Sequence, residues 1–424
     1  MTRIRIAQLG AVLVGVALLA IKWHSVHEVV VAIDHGDLLF ADFVHHYYPT
    51  VHDSLRQGAP AGGFFYPAGF AAMLAPLALL PLGAAEWVWG AVLLACFGVI
   101  VFSLVREAAG ANVGLAAVGA LIATTSVPVL HDFKWGQVSL PIVACAGAAF
   151  VLHARGRAWP AAALLGVAAG IKGYPIVFVL WFLARGDVRF AARAAAACVV
   201  TLIVLPAIVL GPSHALFVQR VSTSSVLGAA DGVLRDFNSQ YAPAVLARYH
   251  GGWDATAADV RAAGELGSFA ALVVVVALAL IVARSNAPRI AERRALLGFV
   301  LVASTVPFWL RTSWSHYFVH LPIAQTLLAS ILVERGRPRD LFVLGALVAP
   351  SVFLSSALGL FATEGWWYYA NDGALFFANA LVLLACAGVV VEAHVLARTE
   401  APAQRPSSNA SSSRRAISAS PSPR

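Results

Sequence analysis

AAEWVWGAVLLACFGVIVFSLV, residues 84–105, is the stretch that decides the fold. It carries a single charge, Glu86, and as a helix rising ~1.5 Å per residue it covers the ~30 Å hydrocarbon core of a bilayer. Comparable apolar runs recur near 6–22, 113–131, 137–153, 192–211, 267–283, 295–310, 317–333, 340–360 and 374–396. The whole chain is 60% hydrophobic and 12% charged, about half the charge of a soluble domain, which excludes a water-soluble fold. These runs predict an all-α polytopic membrane protein, a bundle of about 10–12 transmembrane helices.

The first run lies behind Arg3 and Arg5 but lacks a small-residue cleavage site. Its far edge, Lys22-Trp23-His24, has an interfacial composition, so it reads as a retained span and not a removed signal. With Met1 placed in the cytoplasm, roughly two-thirds of the 29 Lys and Arg fall on the inner side and most of the 21 acids on the outer side. The expectation is a multi-pass protein of the cell membrane with both termini cytoplasmic. The net charge of +8 then reports topology, and no nucleic-acid partner is expected.

Residues 1–396 read as one transmembrane domain, with long outside loops near 22–83 and 212–266. Residues 397–424, rich in Ser, Pro, Ala and Arg, read as a disordered cytoplasmic tail. The segment 158–184 is unusual: Lys172-Gly173-Tyr174-Pro175 divides it into two short apolar halves. A broken helix is tolerated where its freed backbone faces protein or a wet cavity, so the break marks a candidate site, and a single kinked span is the plainer alternative. Cys96, Cys145, Cys198 and Cys386 all lie in apolar runs as small packing residues, with no disulfide or zinc pattern.

Polar chemistry collects on the outer face. Asp34, Asp37 and Asp42 share the first loop with His45, His46, Tyr47 and Tyr48, followed by Phe64-Phe65-Tyr66-Pro67. A positioned Asp42 carboxylate can take a proton from an attacking hydroxyl while aromatic rings stack on a sugar; an interfacial aromatic belt explains the same tyrosines without function. Lys172 costs about 2.5–3.5 kcal/mol inside an apolar segment, which an anionic lipid phosphate offsets, unless it snorkels to the interface. Gln137, in Trp135-Gly136-Gln137, is placed to bond a ligand or to cap a helix. In Arg311-Thr312-Ser313-Trp314-Ser315-His316-Tyr317, Arg311 and His316 suit phosphate, or Arg311 snorkels beside interface anchors. No spacing among the acids and histidines is diagnostic of a metal, and no cofactor is expected.

Taken in order, these motifs resemble glycosyltransferase family 87, polytopic enzymes of the C-type glycosyltransferase fold. Asp42-Phe43 with Tyr47-Tyr48 is similar to the family's Asp-aromatic-tyrosine stretch, and Phe65-Tyr66-Pro67 with Leu74-Ala75-Pro76-Leu77 and Leu80-Pro81 to its tyrosine-proline run. Trp135-Gly136-Gln137, the Gly166 to Gly170 run before Lys172-Gly173-Tyr174-Pro175, and Ser313-Trp314-Ser315-His316 resemble later motifs of the family. Two positions depart from its pattern: Asn238-Ser239-Gln240 replaces an asparagine-glutamine-serine order, and Ser315 stands where an acid is expected after Trp314.

The resemblance implies transfer of a sugar, mannose or another hexose or arabinose, from a polyprenyl-phosphate donor to a glycolipid or glycan acceptor on the outer face. It implies Asp42 as general base, Lys172, His316 and Arg311 on the donor phosphate, and Tyr47, Tyr48, Tyr66, Gln137, Tyr174, Asn238 and Trp314 toward sugar or acceptor. Membrane lipids are the expected surroundings and source of substrate. A secondary transporter or flippase of lipid-linked sugars is the rival, for which the break at Lys172 is a substrate site.

Overall fold

The computed structural model describes residues 40–57, 64–233, 238–251, 258–285, 288–357 and 372–400. The expected first span, Asp34, Asp37 and most of the tail lie outside them. The described chain is helical, with no strand beyond two isolated bridges, as an all-α polytopic membrane protein requires. In order the helices used below are α1 (Tyr48–Gln57), α2 (Ala68–Ala78), α3 (Leu82–Ala109), α4 (Val113–Thr125), α5 (Val127–Trp135), α6 (Ser139–Ala154), α7 (Ala158–Ile171), α8 (Tyr174–Ala184), α9 (Val188–Val209), α10 (Pro212–Val233), α11 (Ala242–Gly251), α12 (Ala258–Arg284), α13 (Arg294–Trp309), α14 (Leu321–Arg335), α15 (Pro338–Ser355) and α16 (Ala374–Glu400).

Two kinds of helix make the bundle. Helix α14 is central and buried along nearly its whole length. Helices α3, α9 and α12 are peripheral and turn large apolar side chains outward, among them Leu94, Phe102, Ile208 and Phe269. That outward apolar surface is what lipid chains cover. Inside, polar side chains join helices instead of facing water: Gln325 donates to Ser351 and Ser355, and Asn379 donates to the Ser304 carbonyl and contacts His320.

Helices α2, α7 and α9 meet through small residues. A Cβ on Gly69 would lie 2.4 Å from the Thr201 carbonyl oxygen, so these backbones touch only because glycine stands there. Thr201 Oγ1 donates to the Gly166 carbonyl at 2.6 Å across the same seam. The contact locks α7, and with it the position where α7 stops, against the first outer segment.

Three expectations are refined. The run 113–131 is divided: α4 ends at Thr125, Ser126 is extended, and α5 restarts with Pro128 in its first turn, where a missing N–H costs nothing. The region 212–266 is not mainly loop, because α10, α11 and the start of α12 fill it. Helix α10 was hidden by its polar composition; it packs on α2 and α9, and Gln219 Oε1 accepts from the Ala68 backbone N–H. Helix α16 carries the chain as helix to Glu400, a few residues beyond the expected boundary at 396.

Candidate active site

The site is built on a turn. Helix α5 ends at Trp135, and Gly136 follows with φ +65°, the left-handed conformation that glycine adopts without penalty. A Cβ there would also stand 2.7 Å from Phe40 Cβ. The Trp89 indole donates to the Gly136 carbonyl at 2.9 Å, and the Gln137 N–H returns to the Asp132 carbonyl at 2.8 Å. Phe40, itself at φ +60°, donates its N–H to Lys134 at 3.1 Å. This contact seats the first outer segment on the turn, so Asp42 arrives opposite Gln137.

Gln137 Nε2 donates to Asp42 Oδ2, and Gln137 Oε1 accepts from Tyr47 at 3.1 Å and Tyr66 at 3.2 Å. The two phenol oxygens are 2.5 Å apart. Tyr47, Tyr66 and Gln137 are buried, whereas Asp42 keeps partial access. Residues 43–47 form a π-helical turn, wider than the α-helix expected there, yet His45 and His46 remain near enough to favour the Asp42 anion. Burial outweighs them and Lys172, and holds the Asp42 carboxyl above the ordinary carboxylate range.

Lys172 enters from the other side. Helix α7 stops at Ile171, Lys172 is extended, and Pro175 opens the short turn that follows, as the sequence break implied. Its Nζ lies 4.9 Å from the Tyr66 ring centre and 4.4 Å from that of Tyr317, and among the described residues it makes no ion pair. Beside it His316, in the turn Ser315–Phe318, is sandwiched between His131 and Tyr317 at centroid distances of 5.6 and 4.9 Å. His316 is buried, and neither ring nitrogen has a hydrogen-bond partner among the described residues. Tyr174 packs its ring on Tyr317 at 5.5 Å.

Other candidates stand differently. Tyr48 turns its hydroxyl to the Leu80 carbonyl at 2.7 Å and stacks on His52, away from Gln137. Arg311 is exposed and faces Glu265 at 3.9 Å; among the described residues no hydrogen bond or ion pair joins it to Lys172 or His316. The altered stretch 238–240 clamps the 313–315 turn: Gln240 N–H donates to the Ser313 carbonyl at 2.7 Å, Ser239 bridges Trp314, and Ser315 Oγ donates to Asn238 Oδ1 at 2.6 Å. Ser315 thus makes a neutral link where an acid was expected. Asn238 and Trp314 are half-buried at this clamp.

Asp132 was the residue sequence reasoning passed over as a turn acid. Fully buried, it accepts from the Ser139 and Leu140 N–H groups at 3.0 and 3.2 Å and so caps α6. Burial pushes its carboxyl up to about 8 against those bonds and Lys172. The available signal was the His131-Asp132 pair just ahead of Trp135-Gly136-Gln137. Among the described residues no three His, Cys, Asp or Glu side chains converge to hold a metal ion.

The site thus brings a carboxylate, a lysine and an imidazole together within a multi-pass helical bundle. The model of glycosyltransferase family 87 matches residues 64–313, more than half of the chain, and the chain belongs to that family. It is 32% identical over 137 residues to the polyprenol-phosphate-mannose-dependent alpha-(1-2)-phosphatidylinositol pentamannoside mannosyltransferase of Mycolicibacterium smegmatis, covering 32% of each chain. It is 31% identical over 103 residues, 24% of this chain and 23% of the relative, to the same organism's polyprenol-phosphate-mannose-dependent alpha-(1-2)-phosphatidylinositol mannoside mannosyltransferase. The matched part thus spans about a third or less of these curated relatives. No solved structure matches the chain.

Proposed function

We propose that this protein is a mannosyltransferase that moves mannose from a polyprenyl phosphate to a glycolipid at the outer face of the cell membrane, with both termini in the cytoplasm. The observation that carries the reading is that Asp42 and His316, far apart in sequence, both lie close enough to Lys172 to interact with it electrostatically. Family membership and the names of the two mannosyltransferase relatives support the donor and the acceptor class.

Asp42 accepts the proton of the acceptor hydroxyl as that oxygen attacks the anomeric carbon. The carbon–oxygen bond to the donor phosphate breaks, and the phosphate leaves with the electron pair. Lys172 Nζ and a His316 ring N–H neutralise the charge that grows on it. His316 suits this role because a buried imidazole without a partner gains most from a phosphate oxygen. Arg311 stands at the rim, where it meets the donor phosphate only by leaving Glu265.

The test uses purified protein in vesicles with radiolabelled polyprenyl-phosphate mannose and membrane lipids. Wild type is expected to place label in a new glycolipid, and Asp42→Asn to lose at least about 10³-fold in transfer while donor binding persists. Label that crosses the vesicle without covalent transfer would replace this reading with the flippase. Retained transfer in Asp42→Asn would remove Asp42 from the base role.

A further inference from the structure

We infer that Tyr47, Tyr66 and Gln137 are a positioning relay for Asp42 and not a surface for sugar. The inference rests on the reading of Asp42 as the base. The three side chains are 1%, 4% and 5% exposed, too little to offer an acceptor a face. What they do offer is a proton count. Two phenol hydroxyls hold two protons among three short contacts: Tyr47 to Tyr66, Tyr47 to Gln137 Oε1, and Tyr66 to Gln137 Oε1. A phenol pair 2.5 Å apart needs one proton between its oxygens, which leaves the other for Gln137 Oε1.

Whichever tyrosine donates outward, Oε1 receives. The Gln137 amide nitrogen is therefore turned to Asp42, where it can bond only an accepting carboxylate oxygen. The flipped amide would set its oxygen against Asp42, an arrangement that suits the protonated acid alone. The tyrosine pair thus favours the ionised, proton-accepting form of Asp42, which accepts from the amide more strongly than the carbonyl oxygen of the neutral acid does, and fixes which oxygen remains for substrate. The groups facing Asp42 are His45 and His46 on its own turn, Lys172 at the end of α7, Asp132 on α5, and the two phenols. The relay opposes the burial that raises the Asp42 carboxyl.

Redundancy is the signature of this arrangement. Either hydroxyl alone can still donate to Oε1, so losing one leaves the amide oriented. Losing both frees it to flip.

The test compares Tyr47→Phe, Tyr66→Phe, the double variant and Gln137→Glu, all of which keep side-chain volume. Infrared spectra of protein labelled with carbon-13 aspartate, taken as differences against Asp42→Asn, follow the Asp42 carboxyl through its titration. The double variant is expected to raise the midpoint by about one pH unit and each single by less than about half of that. Gln137→Glu, which sets a second carboxyl beside Asp42, is expected to raise it further. In transfer assays each single variant loses about threefold and the double about thirtyfold, more than the product, in kcat with donor KM nearly constant. Raising the pH restores part of the loss.

An unmoved midpoint in the double variant, or losses that simply multiply, would overturn the relay. If wild type failed to transfer mannose while the midpoint still moved, the proposed function would fall and the relay would stand. Transfer with an unmoved midpoint would give the reverse.

Discussion

The end of the bundle that carries the candidate site and the corner around Glu392 treat charge in opposite ways. At that corner Glu392, on α16, accepts from Arg335, Arg337 and Arg339, and Arg337 also grips Asp340, so the α14–α15 junction is tied to α16 by mutually compensated, partly hydrated ions. At the site end Lys172 meets two aromatic faces and, among the described residues, forms no ion pair, with Asp42 and Asp132 near enough to act on it through space; the two nitrogens of His316 have no hydrogen-bond partner among the described residues. Compensated charges hold helices together. A buried lysine without a directly paired carboxylate, beside a neutral imidazole, gains from the arrival of an anion, which offsets its desolvation.

Lys172→Gln should break this contrast most sharply. Transfer is expected to fall about 10²–10³-fold, mostly in kcat, while thermal stability of the purified protein holds or rises. If melting falls and turnover does not, the lysine is a structural prop and the two ends are alike.

Asp132 gives the next largest effect, and it depends on pH. Its folded value of about 8 lies above the ordinary 3.8, so the folded state holds a proton that the unfolded chain has released, and stability declines as pH rises between those values. Asp132→Asn, neutral throughout but with one accepting oxygen for the two α6 N–H groups where Asp132 offers two, should melt somewhat below wild type at pH 4. It should gain steadily on it up to pH 8, as thermal melts at matched pH values report. A gap constant with pH would mean that Asp132 remains ionised through the range.

The smallest change is expected from Glu392→Gln. Its partners are partly exposed, so about 1–2 kcal/mol of stability should be lost and transfer should be unaffected. A loss of transfer would couple the Glu392 corner to the candidate site and dissolve the contrast.

The parts of this molecule legible in sequence were those written in consecutive residues. Apolar length gave the spans, Pro175 after Lys172 gave the broken segment, and motif order gave Asp42, Lys172 and His316 as one set. What stayed hidden depends on partners distant in the chain. Nothing local in Tyr47 or Tyr66 says that both hydroxyls end on Gln137 Oε1, so aromatic residues beside an acid read as sugar platforms. Asp132 escapes a sequence reading because the N–H groups it caps belong to the next helix. Helix α10 was invisible for another reason: its polar stretch lacks the apolar periodicity on which a span is recognised, and tertiary contact with α2 and α9 supplies what composition does not.

The left-handed turn at Gly136 bears on how this protein can change over generations. Any side chain there meets both an unfavourable φ and the Phe40 Cβ 2.7 Å away, and the displacement would pass directly to the pairing of Gln137 with Asp42. A saturation library selected for transfer should therefore return glycine almost alone at 136. The exposed rim around Arg311 should accept many residues. Change has room at that rim, while the turn under the carboxylate is closed to drift by the absence of a single methyl group.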